Sequence, residues 1–225
     1  MKKAFSFICM LLIIPSIILF GALLFGSKQS AWITLCVTAL SCLPFFISFE
    51  KKETNTEKLI LISVLVALSV VGRIVFTPLP GFKPVTAMVI IAALYFGSEV
   101  GFMTGALTAV ISNFYFGQGP WTPFQMFGWG FIGLIAGLLA SPLKKSKILL
   151  GIYALLSGVL FSLLLDVWTV LWADGYFNPS RYIATLVTTL PTTAVYAVSN
   201  LVFLIFLSKP IGRILNRIKT KYAIN

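Results

Sequence analysis

The sequence predicts an all-α integral membrane protein, on the basis of its composition, its long apolar segments and the placement of its charges. Of 225 residues, 59% are hydrophobic and 10% are charged, whereas soluble domains carry about 25% charged residues. A chain this apolar has too few polar side chains to cover its surface, so lipid is its expected solvent and a cytosolic enzyme is excluded. The chain has no His, which excludes imidazole catalysis and His-based metal sites. We therefore expect no catalytic residues and no metal.

Eight apolar segments approach the length of about 20 residues that an α-helix needs to cross a bilayer. The first two predict an N-terminal transmembrane hairpin over 1–49, and the other six predict a helical core over 59–207. Between them, 50–58 is the most polar stretch and predicts a cytoplasmic linker, while 208–225 predicts a basic cytoplasmic tail at the membrane surface. The predicted spans are 4–26, 31–49, 59–76, 85–96, 100–116, 123–140, 148–173 and 181–207.

The basic residues predict the orientation of these spans, because Lys and Arg are enriched in cytoplasmic loops. With the N-terminus inside, 13 of the 17 Lys and Arg residues fall on the inner side. Eight spans return the basic C-terminus to that same side. The net charge of +11 is therefore a signal of topology, and a nucleic-acid partner is not expected.

Three core helices are predicted to carry small or polar side chains at helical spacing. Small residues let helices approach closely, so packing is the favoured role of the glycines. For the Ser and Thr residues, packing and a polar interior stay equally open, because lipid rejects polar side chains. The stripes are Gly101, Thr104, Gly105, Thr108 and Ser112; Gly158, Ser162, Asp166 and Thr169; and Thr185, Thr189, Thr192 and Tyr196, with a further glycine ladder at Gly130, Gly133 and Gly137.

Two charged residues, Arg73 and Asp166, fall inside predicted spans. A single charge at mid-membrane costs at least about 2.5–3.5 kcal/mol on insertion scales. Both residues lie at a similar depth in the outer half of the membrane. They are expected either to pair and lock two helices together or to line a cavity that opens to the outside, and the sequence leaves both interpretations open.

The predicted outer loops are rich in Pro and aromatic residues. The loop 77–84 contains three Pro, which restrict its backbone. After the loop 116–121, Thr122 and Gln125 with Pro123 match a helix start, so capping alone would explain these two polar residues. Four of the five Trp residues belong to the outer half of the core. This asymmetry favours a ligand mouth over aromatic belts, which would serve both membrane faces.

The chain lacks the groups that would power transport or catalysis on its own. It has no phosphate-binding GxxxxGK[ST] motif, no nucleophile elbow and no paired carboxylates. It therefore cannot hydrolyse ATP by itself, and uphill transport would need a partner or an ion gradient. A stand-alone secondary transporter, or an intramembrane enzyme that uses Asp166 and Arg73, is a less favoured alternative.

Three motifs resemble the S components of energy-coupling factor (ECF) vitamin transporters: FKPVTA at 82–87, GFMTG at 101–105 and SNFYFGQGPWTPFQM at 112–126. The resemblance covers about 59–207, and its GQGPWTPFQM stretch is similar to the branch associated with cobalamin or its dimethylbenzimidazole moiety. It implies a bacterial plasma-membrane protein with both termini in the cytoplasm, which captures such a vitamin from outside. A coupling membrane protein and two cytosolic ATPases would complete the importer, and only the ATPases would use ATP. No cofactor is expected on the chain itself. The usual S component has about six helices, so the N-terminal hairpin is an addition.

The resemblance also implies docking and binding residues. The family docks through small residues on the first core helix, which here are Ser63 and Ala67, followed by Val71 where another small residue would sit. Amides such as Asn113 and Gln125 suit a neutral ligand, because they both donate and accept hydrogen bonds. By position, the expected ligand-binding residues are Arg73, Phe82, Lys83, Asn113, Gln118, Trp121, Gln125, Trp129, Asp166, Trp168, Trp172 and Tyr196.

Overall fold

The structure is a computed structural model that describes residue 36, residues 38–40, residues 42–43 and residues 56–222. These residues form helices and connecting turns, and none of them lies in a β-strand. The predicted first span, most of the second span and most of the linker lie outside the described residues, so the count of eight spans stays a prediction. The six described residues between 36 and 43 are helical, and Cys42 among them packs with Phe102 and Phe127 of the core.

Seven helices occupy residues 56–222, and six of them correspond to the six predicted core spans. They are α1 (Thr56–Val75), α2 (Val85–Phe96), α3 (Ser98–Phe116), α4 (Thr122–Leu138), α5 (Ala140–Lys145), α6 (Lys147–Asp174) and α7 (Pro179–Lys221). By length and composition, α1, α6 and α7 are able to cross a membrane, and α2 and α4 are shorter apolar helices. The all-helical fold is therefore confirmed for residues 56–222, and three of the six predicted core spans are long and apolar enough to cross a membrane.

Helix α7 is longer than the predicted span. It continues through Pro210 to Lys221, so most of the predicted basic tail is the end of this helix. Its start is specified locally: Asn178 accepts a hydrogen bond from the Arg181 N–H at 3.2 Å, and Pro179 occupies the first helical position. The short helix α5 is absent from the sequence prediction.

Glycines bring α3 and α4 into backbone contact. A Cβ added at Gly105 would lie 2.5 Å from the carbonyl carbon of Trp129, and one added at Gly101 would lie 2.7 Å from the carbonyl oxygen of Gly133. Both separations are below van der Waals contact, so only glycine fits at these two positions. The packing interpretation of these glycines is confirmed, and their contact fixes Trp129 in the centre of the helical core.

Replacing Gly105 by Ala is expected to lower the thermal stability of the purified protein. The added methyl group forces two helix backbones apart, and overpacking of this kind costs about 2 kcal/mol. The matched control is Gly151→Ala, because a Cβ there would meet only the flexible Leu201 side chain at 3.4 Å. Equal melting temperatures for the two variants would contradict the close α3–α4 contact.

Candidate functional site

A narrow cavity of about 10 Å³, room for about one water molecule, lies between the loop 77–84 and helices α2, α4, α6 and α7. We call it the aromatic cavity. Three of its residues, Lys83, Trp129 and Tyr196, belong to the predicted binding set. Its lining comprises Gly81, Lys83, Thr86, Trp129, Gly158, Phe161, Tyr196 and Asn200.

Aromatic rings from three helices form the walls of this cavity. Trp129 is 1% exposed and stacks on Phe161 with ring centroids 4.8 Å apart and an interplanar angle of 8°. Phe161 meets Tyr196 edge to face at 5.7 Å. The Lys83 ammonium lies 5.6 Å from the Tyr196 ring centroid. The cavity therefore combines flat apolar surfaces with one cation at its loop side, as suits a flat ligand with polar edges.

The loop 77–84 covers the aromatic cavity and is fastened to α7. The Lys83 N–H donates to Ser199 Oγ at 2.9 Å, and the Ser199 hydroxyl donates to the Lys83 carbonyl oxygen at 3.1 Å. Phe82 packs against Phe203, with ring centroids 4.9 Å apart. Gly81 has a φ of 79°, a conformation that favours glycine. Because the loop covers the cavity, a ligand that enters from this side has to displace it.

Arg73 lies beside the cavity and joins α1 to α3. Its Nη1 donates to Ser112 Oγ, and to Asn113 Oδ1 at 2.9 Å. Its guanidinium carbon lies 4.4 Å from the ring centroid of Phe116 and 5.1 Å from that of Trp129. Within the described part of the chain, the buried Arg73 Nε has no hydrogen-bond partner. Among the described residues, the Nε–H group of Arg73 is thus a hydrogen-bond donor without an acceptor, close to the ring of Trp129.

Asn113 extends this network from α3 to α4. Its Nδ2 donates to Thr122 Oγ1 at 2.9 Å and to Gln125 Oε1 at 2.8 Å. The Thr122 hydroxyl donates to Gln118 Oε1 at 3.0 Å. The side-chain amide of Asn113 is therefore fully occupied by protein partners. The capping prediction for Thr122 is wrong. Thr122 is the first residue of α4, and the residue before it makes no side-chain capping hydrogen bond. The Thr122 hydroxyl instead accepts from Asn113 and donates to Gln118.

Asp166 belongs to a different polar contact, between α6 and α7. It accepts a hydrogen bond from the Thr189 hydroxyl at 2.8 Å. One turn deeper, the hydroxyls of Ser162 and Thr193 lie 2.6 Å apart. Over residues 56–222, Arg73 and Asp166 do not form an ion pair with each other, so the interpretation as a helix-locking pair is wrong. Each charge is held by neutral hydrogen-bond partners on its own pair of helices.

The polar stripe of α3 has mainly a packing role. The hydroxyls of Thr104 and Thr108 are buried and donate to the carbonyl oxygens four residues earlier, at 2.7 and 2.6 Å. Such bonds satisfy a hydroxyl within its own helix. Ser112, at the end of the stripe, also accepts from Arg73, so only this member contributes to the site.

The other predicted aromatic residues and Gln118 lie outside the aromatic cavity. Trp168 packs on Phe124 with ring centroids 5.4 Å apart, and Trp172 is 63% exposed. Trp121 is 37% exposed. Gln118 is exposed and donates to the Val110 carbonyl oxygen at 2.8 Å. None of these four residues lines the aromatic cavity, so their role in ligand binding stays a prediction.

Sequence reasoning missed five lining residues. Asn200 follows Tyr196 by one helical turn, and an amide in an apolar run was a usable signal, because polar side chains inside spans face the protein interior. Phe161 carried no signal, since it is one of 20 Phe residues. The missed residues are Gly81, Thr86, Gly158, Phe161 and Asn200.

One protein family matches the chain. The profile of the family described as ECF-type riboflavin transporter, S component, matches residues 53–217. This match covers all seven described helices, apart from the last residues of α7, and names a transporter component rather than an enzyme. No curated protein and no solved structure matches the chain. The match supports the S-component resemblance but names riboflavin, so the expected cobalamin-related branch is not confirmed.

Proposed function

Because the chain belongs to the family of ECF-type riboflavin transporter S components, we propose that it is the flavin-binding membrane subunit of a vitamin importer. In this proposal the aromatic cavity takes riboflavin, or a close flavin relative, from outside the cell. A coupling membrane protein and two ATPases supply the energy, since the chain carries no nucleotide-binding motif.

The observation that carries the flavin assignment is the three-ring wall of Trp129, Phe161 and Tyr196. A flavin is a flat fused-ring system, and such systems stack favourably on aromatic side chains. Its polar edge carries carbonyl and ring-nitrogen acceptors beside one N–H donor. Lys83 provides a donor, and the amide of Asn200 both donates and accepts. Dimethylbenzimidazole is also flat and would suit the same rings, so the choice of riboflavin over it is supported by the family match, which names riboflavin.

The size of the aromatic cavity implies that binding opens it. The closed cavity has a volume of only about 10 Å³, room for about one water molecule, whereas small-molecule sites usually enclose about 300–1,000 Å³. The loop 77–84 is the element to move, because its residues Gly81 and Lys83 line the cavity. Opening it would break its hydrogen bonds to Ser199 and the contact of Phe82 with Phe203. We propose that this loop lifts to admit the flavin and then closes over it.

Reconstitution tests the role as a binding subunit. Liposomes that contain only this chain are expected to bind riboflavin without accumulating it. Adding a coupling membrane protein, two ATPases and ATP is expected to give concentrative uptake. Accumulation by the chain alone would instead make it a secondary transporter. Conversion of the ligand by the purified chain, lost on Asp166→Asn, would make it an enzyme.

The exposed face of α1 is the proposed docking surface for the coupling protein. Ser63 and Ala67 lie on this face, next to the exposed apolar residues Val64, Leu68 and Val71. Ala67→Trp is expected to reduce uptake by the complete importer about ten-fold through steric overpacking. It should leave riboflavin affinity unchanged, because Ala67 points away from the core. The control is Ala184→Trp, which enlarges an exposed position on α7; an equal loss of uptake there would contradict a specific docking face.

Flavin affinity is expected to fall as the pH rises above about 8. Burial, assisted by the positive charge of Arg73, lowers the pKa of Lys83 to about 8. A ligand carbonyl that accepts a hydrogen bond from Lys83 favours the protonated side chain. The contribution of this hydrogen bond to flavin affinity is therefore complete below the pKa of Lys83 and is lost as the pH rises above it. Because a charged donor binds more strongly than a neutral one, the change is about five-fold. Titrations at pH 6.5 to 9 measure it, and Lys83→Met should flatten the profile. Affinity that rises with pH in the unmodified protein would contradict the role of Lys83.

A further inference from the structure

A second, larger cavity lies at the end of the helical core away from the loop 77–84. It is open, with a volume of about 470 Å³, and we call it the basic cavity. It is formed by the ends of α2, α5, α6 and α7, on the side that the distribution of Lys and Arg predicts to be cytoplasmic. Its lining comprises Ile91, Leu94, Tyr95, Leu143, Lys144, Lys147, Leu150, Ser208, Lys209, Gly212, Arg213 and Asn216.

Four cations line the basic cavity without any acidic residue: Lys144, Lys147, Lys209 and Arg213. Within residues 56–222 none of the four forms an ion pair. The Lys144 ammonium lies 4.7 Å from the ring centroid of Tyr95, and the Lys219 ammonium donates to the Tyr95 carbonyl oxygen at 3.3 Å. Burial and the nearby charge of Lys219 lower the pKa of Lys144. Positive charge is therefore concentrated here, and an anion would relieve its repulsion.

The other side of the basic cavity is apolar. This side is lined by four aliphatic residues of α2, α5 and α6: Ile91, Leu94, Leu143 and Leu150. A small soluble anion would contact the cations and would leave this apolar surface uncovered. A lipid whose headgroup is charged and whose chains are apolar matches both halves at once. Basic pockets between helices on the cytoplasmic side of a membrane are known to bind anionic headgroups.

From this arrangement we propose that the basic cavity binds the phosphate headgroup of an anionic phospholipid, with Lys147 and Arg213 among its ligands. The chains of the lipid would lie against the partly exposed Leu150, because Leu143 is buried in the core. Such a lipid would hold the inner ends of α5, α6 and α7 together. The inference concerns a site remote from the aromatic cavity and does not depend on which vitamin the protein carries.

The test is a titration of the delipidated, purified chain in neutral detergent with short-chain phosphatidylglycerol, phosphatidylcholine or inorganic phosphate, followed by thermal shift. Phosphatidylglycerol is expected to raise the melting temperature saturably, and the other two should not. Arg213→Gln and Lys147→Gln are each expected to weaken phosphatidylglycerol binding about five-fold, since one cation near an anionic surface contributes about that factor. The matched control is Arg217→Gln, which removes an exposed cation of α7 outside the lining and should leave binding unchanged.

Four results would overturn the proposal. Equal losses in Arg213→Gln and Arg217→Gln would show that diffuse surface charge attracts the lipid. Equal binding of phosphatidylcholine would show that the headgroup charge has no role. A full response to inorganic phosphate would identify a soluble phosphate compound as the ligand. Unchanged lipid binding by Arg213→Gln, together with weaker assembly with the coupling protein, would make the cavity a protein contact.

Discussion

Replacing Asn113 by Leu is expected to give the largest loss of stability of any single substitution near the site. Asn113 is 1% exposed, and its amide serves Arg73, Thr122 and Gln125 at once. An apolar side chain leaves these three buried partners with unmet hydrogen bonds, at about 1–3 kcal/mol for each group that finds no other partner. We expect a total loss of about 3–5 kcal/mol, measured as a lower melting temperature in detergent.

The control for this prediction is Thr104→Val on the same helix. Thr104 is as deeply buried as Asn113, but its hydroxyl donates only to the carbonyl oxygen of Val100, so its loss costs about 1 kcal/mol or less. Asn113→Leu should also weaken flavin binding, because Arg73 loses a partner that orients it beside Trp129. Equal stability of the two variants would show that the Asn113 network does not join α1, α3 and α4.

Replacing Tyr196 by Leu is expected to give the largest loss of affinity with little loss of stability. The ring of Tyr196 lines the aromatic cavity, meets Phe161 edge to face and is only partly buried, so Leu fits without opening a large void. Loss of one stacking ring costs about 1–3 kcal/mol where flat ligands bind aromatic platforms. Flavin affinity should therefore fall about 10- to 100-fold, as measured by titration of flavin fluorescence.

Tyr176→Leu is the matched control for Tyr196→Leu. Tyr176 lies in the loop between α6 and α7, is 37% exposed and does not line the aromatic cavity. It is an aromatic residue of a predicted outer loop. If Tyr176→Leu reduces affinity as much as Tyr196→Leu, the ligand lies among the outer loops and not between α4, α6 and α7.

The helices of the core were predictable because each is a long apolar run bounded by polar or turn-forming residues. The short helix α5 was not, since its sequence ASPLKK carries too few residues for a helical pattern. Nor was the length of α7, because a Pro such as Pro210 usually marks a helix end, whereas here the helix continues through it to Lys221. The low helix propensity of Pro is a local preference, and the tertiary contacts of α7 override it.

Polar residues that interrupt apolar runs were the sequence signal for Arg73, Asn113 and Asp166. None of the three lines the aromatic cavity, so their role in ligand binding stays a prediction. Their hydrogen-bond partners were not predictable, because the choice of partner depends on how the helices rotate and pack. Arg73 and Asp166 have opposite charges at a similar depth, but the packed helices give them separate neutral partners. Aromatic composition pointed to the outer side of the core, although it did not single out Phe161 among the other rings.

A ligand panel on the purified chain tests the central claim most directly. Riboflavin is titrated with protein and its fluorescence is followed, in parallel with cobalamin, cobinamide and dimethylbenzimidazole monitored by thermal shift. Stacking in the aromatic cavity predicts saturable quenching of riboflavin fluorescence at one site per chain, reduced by Tyr196→Leu and not displaced by the other three compounds. Unquenched riboflavin, together with a thermal shift from cobalamin or dimethylbenzimidazole, would contradict the account.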